Sequence, residues 1–169
     1  MKIEQIEQRF KEVTKLQPLV DLTVYPLTEH VGFEIRLQEK KDNGEVFTPL
    51  QLVDRMLEIS NPQPDKFNMD LCAGHGQFTV RMLRRFVNQN KDFDIYCYLK
   101  NFHWFNELNP KSVEDLIYIF GKDINIAAGP AQELKYMPEE DGVWKPGIWW
   151  WNKQWTKNKP KNKKETVLF

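Results

Sequence analysis

Hydrophobic residues recur at the spacing of an α-helix along the first part of the chain. Ile3, Ile6, Phe10 and Val13 lie three or four residues apart, with glutamate, glutamine and lysine between them. This spacing places the four apolar side chains on one face of a helix and the charged groups on the other. We therefore expect residues 1–16 to form an amphipathic helix that packs on the body of the protein.

Two further helices are bounded by residues that are typical of helix ends. Pro49 opens the second helix with Thr48 as its N-cap, and the Asn-Pro-Gln-Pro run at 61–64 ends it. A third helix follows Gly76 and has apolar residues at helical spacing. Its polar side consists of three arginines, Arg81, Arg84 and Arg85.

Three short apolar runs predict β-strands, at 67–72, 103–108 and 124–128. A fourth helix is expected between the last two strands, from Asn109 or Pro110 to Gly121. Residues 91–101 fit either a helix or a strand. The alternation of strands and helices predicts an α/β fold with a parallel sheet and right-handed crossovers.

The regions outside this core have a less regular pattern. Between the first two helices lie two short segments, DLTVY and FEIRL, that are strand-like or irregular. The tryptophan-rich segment at 147–156 is expected to form a hairpin that turns at Asn152-Lys153. A basic tail follows at 157–169, so that residues 1–156 are expected to form a single domain.

The composition of the chain is that of a globular protein. Its 169 residues are 41% hydrophobic and 13% aromatic, which suits one domain with its own core. No apolar run approaches the roughly 20 residues that a membrane helix needs, and the charged N-terminus is unlike a signal peptide. Cys72 and Cys97 fit neither a disulfide framework nor a metal site, and Cys72 is expected to be a small packing residue. We therefore expect a cytoplasmic protein without a metal site.

The net charge of zero conceals an uneven distribution. From Lys145 to Phe169 the chain has seven lysines and one acidic residue, a local net charge of +6. A basic end of this kind favours the phosphate backbone of DNA, because binding releases condensed counterions. The other interpretation is a solvated terminus that serves only solubility.

The segment MDLCAGHGQF, at 69–78, has the form of a ligand-binding loop, since a strand ends there in a glycine turn before a helix. Gly74 and Gly76 let a ligand approach the backbone, and the helix N-terminus offers free amides. Asp70, at the strand end, is placed to order the loop or to reach a ligand amino group through water. Thr79 stands where a dinucleotide fingerprint has its third glycine, and the absence of a GKS or GKT triplet excludes a P-loop.

Two other strand ends add to this candidate site. Glu107 closes the second strand, where a carboxylate is able to accept hydrogen bonds from both hydroxyl groups of a ribose; it is also placed as an acidic residue before a helix. Gly129 closes the third strand, where a base ring would lie. Because the carboxyl ends of parallel strands meet at one edge of a sheet, the three ends predict a nucleoside pocket.

Four segments resemble, in order, the cofactor-binding motifs of adenine-specific DNA methyltransferases of the type I, type IIG and phage-encoded branch. They are GEVFTP (44–49), DLCAGHGQF (70–78), NELNPKSV (106–113) and INIAAGPAQEL (124–134). The resemblance covers roughly residues 44–134. It implies the Rossmann-like fold of S-adenosylmethionine-dependent methyltransferases, with a partly parallel sheet and flanking helices, which this short chain need not complete.

The resemblance implies a role for each matching residue. Phe47, Thr48 and Pro49 match the segment that holds the methionine portion of the cofactor, with Thr48 bonded to its carboxylate. Glu107 matches the ribose-binding acid, and Leu108 would lie beside the adenine. The matching residues of the glycine loop are Asp70, Gly74, Gly76 and Phe78.

The sequence departs from the pattern of the family in three places. In the glycine motif Leu71 replaces a proline and His75 replaces a small residue, and we interpret His75 as a solvated loop residue. In the third motif Pro130 replaces the aspartate that binds the adenine amine, so that Asn125 or Gln132 would have to substitute. The catalytic motif, a Pro-Pro pair followed by an aromatic residue, is absent from the sequence.

Three hypotheses remain open. The chain is a working DNA adenine methyltransferase in which the tryptophans at 149–151 and Trp155 stack a flipped base. Alternatively, it binds S-adenosylmethionine without methyl transfer, as a sensor, a decoy or a subunit whose protein partner supplies the missing catalytic or target-recognition part. The third hypothesis is an interaction protein that keeps only the fold. For the tryptophans themselves we favour a hydrophobic hairpin over the sheet edge.

Overall fold

The structure is a computed structural model that describes residues 1–16, 19–28 and 47–131, together with the backbone of three short strands at 135–138, 144–147 and 166–168. The helices are α1 Ile3–Thr14, α2 Leu50–Ser60, α3 Gln77–Gln89, α4 Ile95–Asn101 and α5 Pro110–Phe120. The strands are β1 Phe67–Asp70, β2 His103–Glu107, β3 Asn125–Ala128, β4 Lys135–Pro138, β5 Trp144–Gly147 and β6 Thr166–Leu168.

The strands β3, β2, β1 and β6 form one sheet in that order, and every pair of neighbours is parallel. Met69 of β1 lies opposite Trp104 of β2, and Phe105 of β2 lies opposite Ile126 of β3. The strands β4 and β5 form a separate antiparallel pair. The predicted α/β fold with parallel strands and flanking helices is confirmed, and it is consistent with part of a Rossmann-like methyltransferase fold.

The sheet has a different apolar cluster on each face. All five helices contribute to the larger cluster, which also contains Phe105 and Ile126 from the sheet. The smaller cluster consists of strand residues that alternate with these, Phe67, Met69, Trp104 and Ala127. Alternate residues of a strand point to opposite faces, so the described helices all pack on one side of the sheet.

Local capping explains two helix starts. The Asn109 side chain accepts a hydrogen bond from the N–H of Lys111 at 3.0 Å, and Pro110 occupies the first helical position of α5, as the sequence predicts. Asp94 caps α4 by accepting from the N–H of Cys97 at 3.0 Å. This cap settles the ambiguous segment at 91–101 in favour of a helix.

The polar side predicted for α3 does not face solvent at two of its three arginines. Arg81 is fully buried, and its Nε donates to Asp54 Oδ1 at 2.7 Å. Arg84 is also buried, and its Nε donates to Glu7 Oε1 at 2.8 Å. Arg85 donates to the carbonyl of Leu57 at 2.8 Å. The three arginines therefore join α3 to α1 and α2 by polar contacts.

Several sequence predictions concern residues that lie partly or wholly outside the described ranges. DLTVY, within 19–28, forms turns and bends, whereas FEIRL lies outside the described residues. The predicted hairpin at 147–156 also lies outside them, apart from its first residue. Within the basic tail, residues 166–168 form β6 beside β1. In the part of the chain that the structure describes, no helix is long and apolar enough to cross a membrane, and no group of residues is arranged to hold a metal ion.

Candidate functional site

A cavity of about 360 Å³ opens at the carboxyl edge of the sheet, where β1 and β2 end. Small-molecule sites usually have volumes of about 300–1,000 Å³, so this cavity is large enough for a ligand. Six of the predicted cofactor residues line it, Phe47, Thr48, Asp70, Gly74, Phe78 and Glu107. The fold thus brings together residues that are up to 60 positions apart in the sequence.

Glu107 ends β2, and its carboxylate accepts three hydrogen bonds from backbone amides. Its Oε2 accepts from the N–H of Gly74 at 2.6 Å. Its Oε1 accepts from the N–H groups of Leu108 and Asn109 at 2.7 and 2.8 Å. Hydrogen bonds to an ionised group are short and strong, so Glu107 fixes the glycine loop against the start of α5.

Asp70 ends β1 and carries a buried carboxyl group with one unsatisfied oxygen. A backbone hydrogen bond from Cys72 reaches the carboxyl group, but Oδ2 has no hydrogen-bond partner among the described residues. Burial, together with the negative charge of Glu107, raises the pKa of Asp70 from 3.8 to about 7. A strongly perturbed carboxyl group at a cavity is typical of a functional site.

The two glycines of the loop make room for protein side chains. Gly74 has φ +53°, and a Cβ added there would lie 2.8 Å from Phe47 Cε1. Gly76 has φ +79°, and a Cβ added there would lie 2.5 Å from Phe120 Cε2. Both backbone conformations favour glycine. The glycines were expected to leave space for a ligand. That space is partly taken by the protein itself, because an aromatic ring lies where a Cβ atom on either glycine would be placed.

The segment before α2 contributes two side chains to the cavity, but the predicted helix cap is wrong. The helix begins at Leu50, Pro49 is its N-cap, and no side chain caps it. Val53 closes the first turn by donating to the carbonyl of Pro49 at 3.0 Å. Thr48 therefore stands one residue before the cap, and it lines the cavity.

His75 is not the solvated loop residue that the sequence suggested. Its side chain is only 12% exposed, and Nδ1 lies 3.1 Å from Asp115 Oδ2. Its ring stacks on that of Phe47, with centroids 4.6 Å apart and planes inclined by 19°. Sequence patterns did not indicate these contacts, because Phe47 and Asp115 lie on either side of His75 at long distances along the chain.

The remaining predicted residues lie at the same edge without lining the cavity. Leu108 is 66% exposed. Gly129 follows β3, and its N–H donates to the carbonyl of Glu107 at 2.9 Å, while its own carbonyl accepts from Asn106 Nδ2 at 2.8 Å. Whether Leu108 and Gly129 border an adenine ring stays a prediction.

Asn125 is not placed to substitute for the missing aspartate of the third motif. It begins β3 at the opposite edge of the sheet, and its Nδ2 donates to the carbonyls of Leu99, Lys100 and His103. The other proposed substitute, Gln132, lies outside the described residues.

Sequence reasoning missed four residues that line the cavity, Met56, Leu71, Cys72 and Gln77. Cys72 was expected to pack inside, but it is exposed, and burial together with the charges of Glu107 and Asp70 raises the pKa of its thiol. The thiol is therefore neutral at physiological pH. Met56 is an exposed residue of α2, and only the packing of α2 beside the loop shows that it lines the cavity.

The comparison with known proteins identifies the family of this chain. Residues 34–125 match the family described as N-6 DNA Methylase, which is more than half of the chain. The chain belongs to the N-6 DNA methylase family. The family match includes the glycine loop, Asp70 and Glu107, and it ends at Asn125, before Gly129. No curated protein and no solved structure matches the chain.

Proposed function

We propose that this N-6 DNA methylase chain binds S-adenosylmethionine in the cavity at the carboxyl ends of β1 and β2. The observation that carries the proposal is the meeting of Asp70, Glu107 and the glycine loop in one cavity. Members of the family typically use S-adenosylmethionine, so the family match and the cavity support the same ligand.

The topology of the sheet supports the position of the ligand. The strand β1 is flanked by β2, which follows it in sequence, and by β6, which comes last. Strand order therefore reverses beside β1. In open α/β sheets, ligands bind outside the carboxyl ends of the strands at such a reversal.

Glu107 is proposed to bind the ribose through one oxygen. Its Oε1 already accepts two amide hydrogen bonds, whereas Oε2 accepts, within the described part of the chain, only that of Gly74. A carboxylate oxygen has two lone pairs, so Oε2 has capacity for one more donor. A ribose hydroxyl group is the donor that the ligand offers.

Asp70 is proposed to face the cationic part of the ligand. Its Oδ2 is buried beside the cavity and has no hydrogen-bond partner among the described residues, and the neighbouring negative charge of Glu107 opposes its ionisation. S-adenosylmethionine carries a positive sulfonium and an ammonium group. A nearby positive charge favours the ionised carboxylate and would supply the missing interaction.

DNA adenine is the proposed methyl acceptor, since the family is named for that reaction. The lysine-rich segment from Lys145 to Phe169 is proposed to contact the DNA backbone. Because the sequence lacks a Pro-Pro pair, we propose cofactor binding as the function of this chain and a separate protein partner as the source of the groups that orient the target amine. A silent cofactor-binding protein is the second candidate, and Pro130 in the third motif favours it.

Isothermal titration of the purified chain with S-adenosylmethionine tests the proposal. We expect saturable binding with one ligand per chain, and the absence of heat at millimolar ligand would refute it. A labelled-methyl transfer assay on unmethylated DNA then separates the two candidates. Transfer by the chain alone would exclude the silent one.

Replacing Glu107 with glutamine should weaken binding of S-adenosylmethionine about 10- to 100-fold. The amide nitrogen of glutamine has no free lone pair, so in the position of Oε2 it accepts a hydrogen bond neither from the N–H of Gly74 nor from the proposed ribose hydroxyl group. Hydrogen bonds to charged groups contribute about 1.5–3 kcal/mol each, which corresponds to this change in Kd. Isothermal titration measures the affinity, and a thermal melt confirms that the variant is folded.

Glu114→Gln is the matched control for this substitution. Glu114 lies on the exposed side of α5, seven residues after Glu107. The control should bind with the Kd of the unmodified chain. Equal affinities of the Glu107 and Glu114 variants would contradict the role assigned to Glu107.

A further inference from the structure

His75, in the loop between β1 and α3, lies beside the cavity wall without lining the cavity. His75 stands between Gly74 and Gly76, where only a small residue is needed to form the turn. Its ring is stacked on Phe47, which does line the cavity. This arrangement links the loop to a segment that precedes it by 28 positions in the sequence.

Phe47 is held from two directions. The His75 ring covers one side of the phenyl group, with a centroid distance of 4.6 Å. The backbone of Gly74 approaches it so closely that a Cβ at Gly74 would lie only 2.8 Å from Phe47 Cε1. Phe47 itself lies in an irregular segment before α2, so helix or strand hydrogen bonds do not determine where its ring lies.

His75 is in turn held by α5. Its Nδ1 lies 3.1 Å from Asp115 Oδ2, and the two side chains are only 12% and 21% exposed. The same helix supports the loop from below, since Phe120 fills the space beside Gly76. This short distance places the imidazole against the Asp115 carboxylate, and the contact limits the orientations in which the ring can face Phe47.

We propose that His75 is a positioning residue that sets the Phe47 ring as a wall of the ligand cavity, with Asp115 fixing the orientation of the imidazole. The inference deepens the proposed function and rests on binding of S-adenosylmethionine in that cavity. His75 acts on the ligand only through Phe47. Asp115, His75 and Phe47 therefore form a linear support from α5 to the cavity.

A double-mutant cycle tests whether His75 acts through Phe47. His75→Ala should raise the Kd for S-adenosylmethionine about 3- to 10-fold, the range expected for the loss of one stacked ring pair. Phe47→Leu should raise it by at least as much. In the Phe47→Leu background His75→Ala should have no further effect, because the ring that it positions is gone. Effects of the two substitutions that multiply would overturn the proposal.

Conservative variants separate positioning from a general requirement of the loop. His75→Phe keeps a stacking ring and should recover most of the affinity that His75→Ala loses. Asp115→Ala should weaken binding in the same direction as His75→Ala, and less strongly. Tyr118→Ala is the matched control, because Tyr118 is an exposed aromatic residue on the same helix and lies outside the cavity. Failure of His75→Phe to improve on His75→Ala would contradict a role in stacking.

A ligand-free measurement keeps this inference distinct from the proposed function. The carbon-bound protons of the His75 ring should show an upfield ring-current shift in the NMR spectrum, which Phe47→Leu should remove. An unchanged His75 resonance in Phe47→Leu would overturn the stack itself. If the stack is present and the unmodified chain binds ligand, the cycle decides the role of His75. If the unmodified chain binds no ligand, the proposed function and the positioning role both fail, while the stack stands.

Discussion

Replacing Arg81 with methionine should lower the free energy of unfolding by about 3–5 kcal/mol, the usual cost of removing one partner from a buried ion pair. The guanidinium group of Arg81 is fully buried and bonds both oxygens of Asp54, at 2.7 and 2.9 Å. Asp54 is itself only 1% exposed. Without the arginine, its negative charge would remain inside the protein with no cation beside it.

The guanidinium group also satisfies backbone carbonyls that would be left unpaired. It donates to the carbonyl of Leu22 at 2.6 Å and to that of Val24. Asp54 in addition accepts from the N–H of Leu27 at 2.6 Å. The pair therefore joins α2, α3 and the turn-rich segment at 19–28, so its loss should free that segment from the helices.

Urea-induced unfolding followed by circular dichroism measures this effect at neutral pH. Arg55→Met is the matched control, because Arg55 is on α2 with a side chain that is 69% exposed, and it pairs with the surface residue Glu58. Exposed pairs contribute about 0–1 kcal/mol, so the control should unfold nearly as the unmodified chain does. The double variant Arg81→Met/Asp54→Leu should recover part of the loss, since it removes the stranded charge. A loss below about 1 kcal/mol in Arg81→Met would contradict the buried ion pair.

The sequence was sufficient to predict helices that depend only on residues within the helix or next to its ends. The spacing of Ile3, Ile6 and Phe10 follows directly from helical geometry, and α1 occupies the expected place. Asn109, Pro110 and Gly121 act within one turn of the helix ends, and α5 has both predicted boundaries. The predicted parallel strands also indicated that Glu107 and the glycine loop lie at one sheet edge, because parallel strands share their carboxyl ends.

Interactions between distant segments were beyond sequence reasoning. Helical periodicity places the arginines on the polar side of the helix, but it does not show that Arg81 and Arg84 form buried ion pairs with Asp54 and Glu7. The environment of His75 depends on Phe47 and Asp115 in the same way. Each of these partners lies on a different element, so only the packing of the elements reveals the contact.

Residue identity was also a poor guide to position along a strand. Asn125 was proposed as a ligand for the adenine amine, but it begins β3, whereas Gly129 follows the end of that strand. The edge of a parallel sheet that binds ligands is the carboxyl edge. The predicted strand at 124–128 already placed Asn125 near its start, so the position along the strand, and not the residue type, decides whether a side chain lies at the site.

The unmodified chain should lose stability as the pH rises from about 4 to about 8, and the variant Asp70→Asn should not show this loss. The folded protein raises the pKa of Asp70 from 3.8 to about 7, through burial and the charge of Glu107. In this range the folded state holds a proton that the unfolded state has released. The favourable contribution of protonated Asp70 is fully present below the unfolded pKa and is lost as the pH rises through the folded pKa.

The expected size of this effect is on the order of 4 kcal/mol, since the pKa rises from 3.8 to about 7 and one pKa unit corresponds to about 1.4 kcal/mol. Asparagine keeps a carbonyl oxygen for the backbone hydrogen bond from Cys72 and adds no charge beside Glu107. The variant should therefore match the unmodified chain near pH 4 and exceed its stability near pH 8. Burial lowers the pKa of His103 to about 3, which gives a pH dependence of opposite sign. That contribution is common to both proteins and cancels in their difference.

Urea unfolding at a series of pH values gives the two stability curves, with Asp65→Asn as the control. Asp65 is exposed and precedes β1, so its variant should follow the unmodified chain at every pH. Parallel curves for Asp70→Asn and the unmodified chain would contradict the raised pKa. Binding of S-adenosylmethionine gives a second test of the raised pKa, because a cation beside Asp70 favours its ionised form. S-adenosylmethionine should therefore stabilise the unmodified chain more near pH 8 than near pH 5, and Asp70→Asn should lose this difference, since a neutral amide has no proton to release when the cation binds.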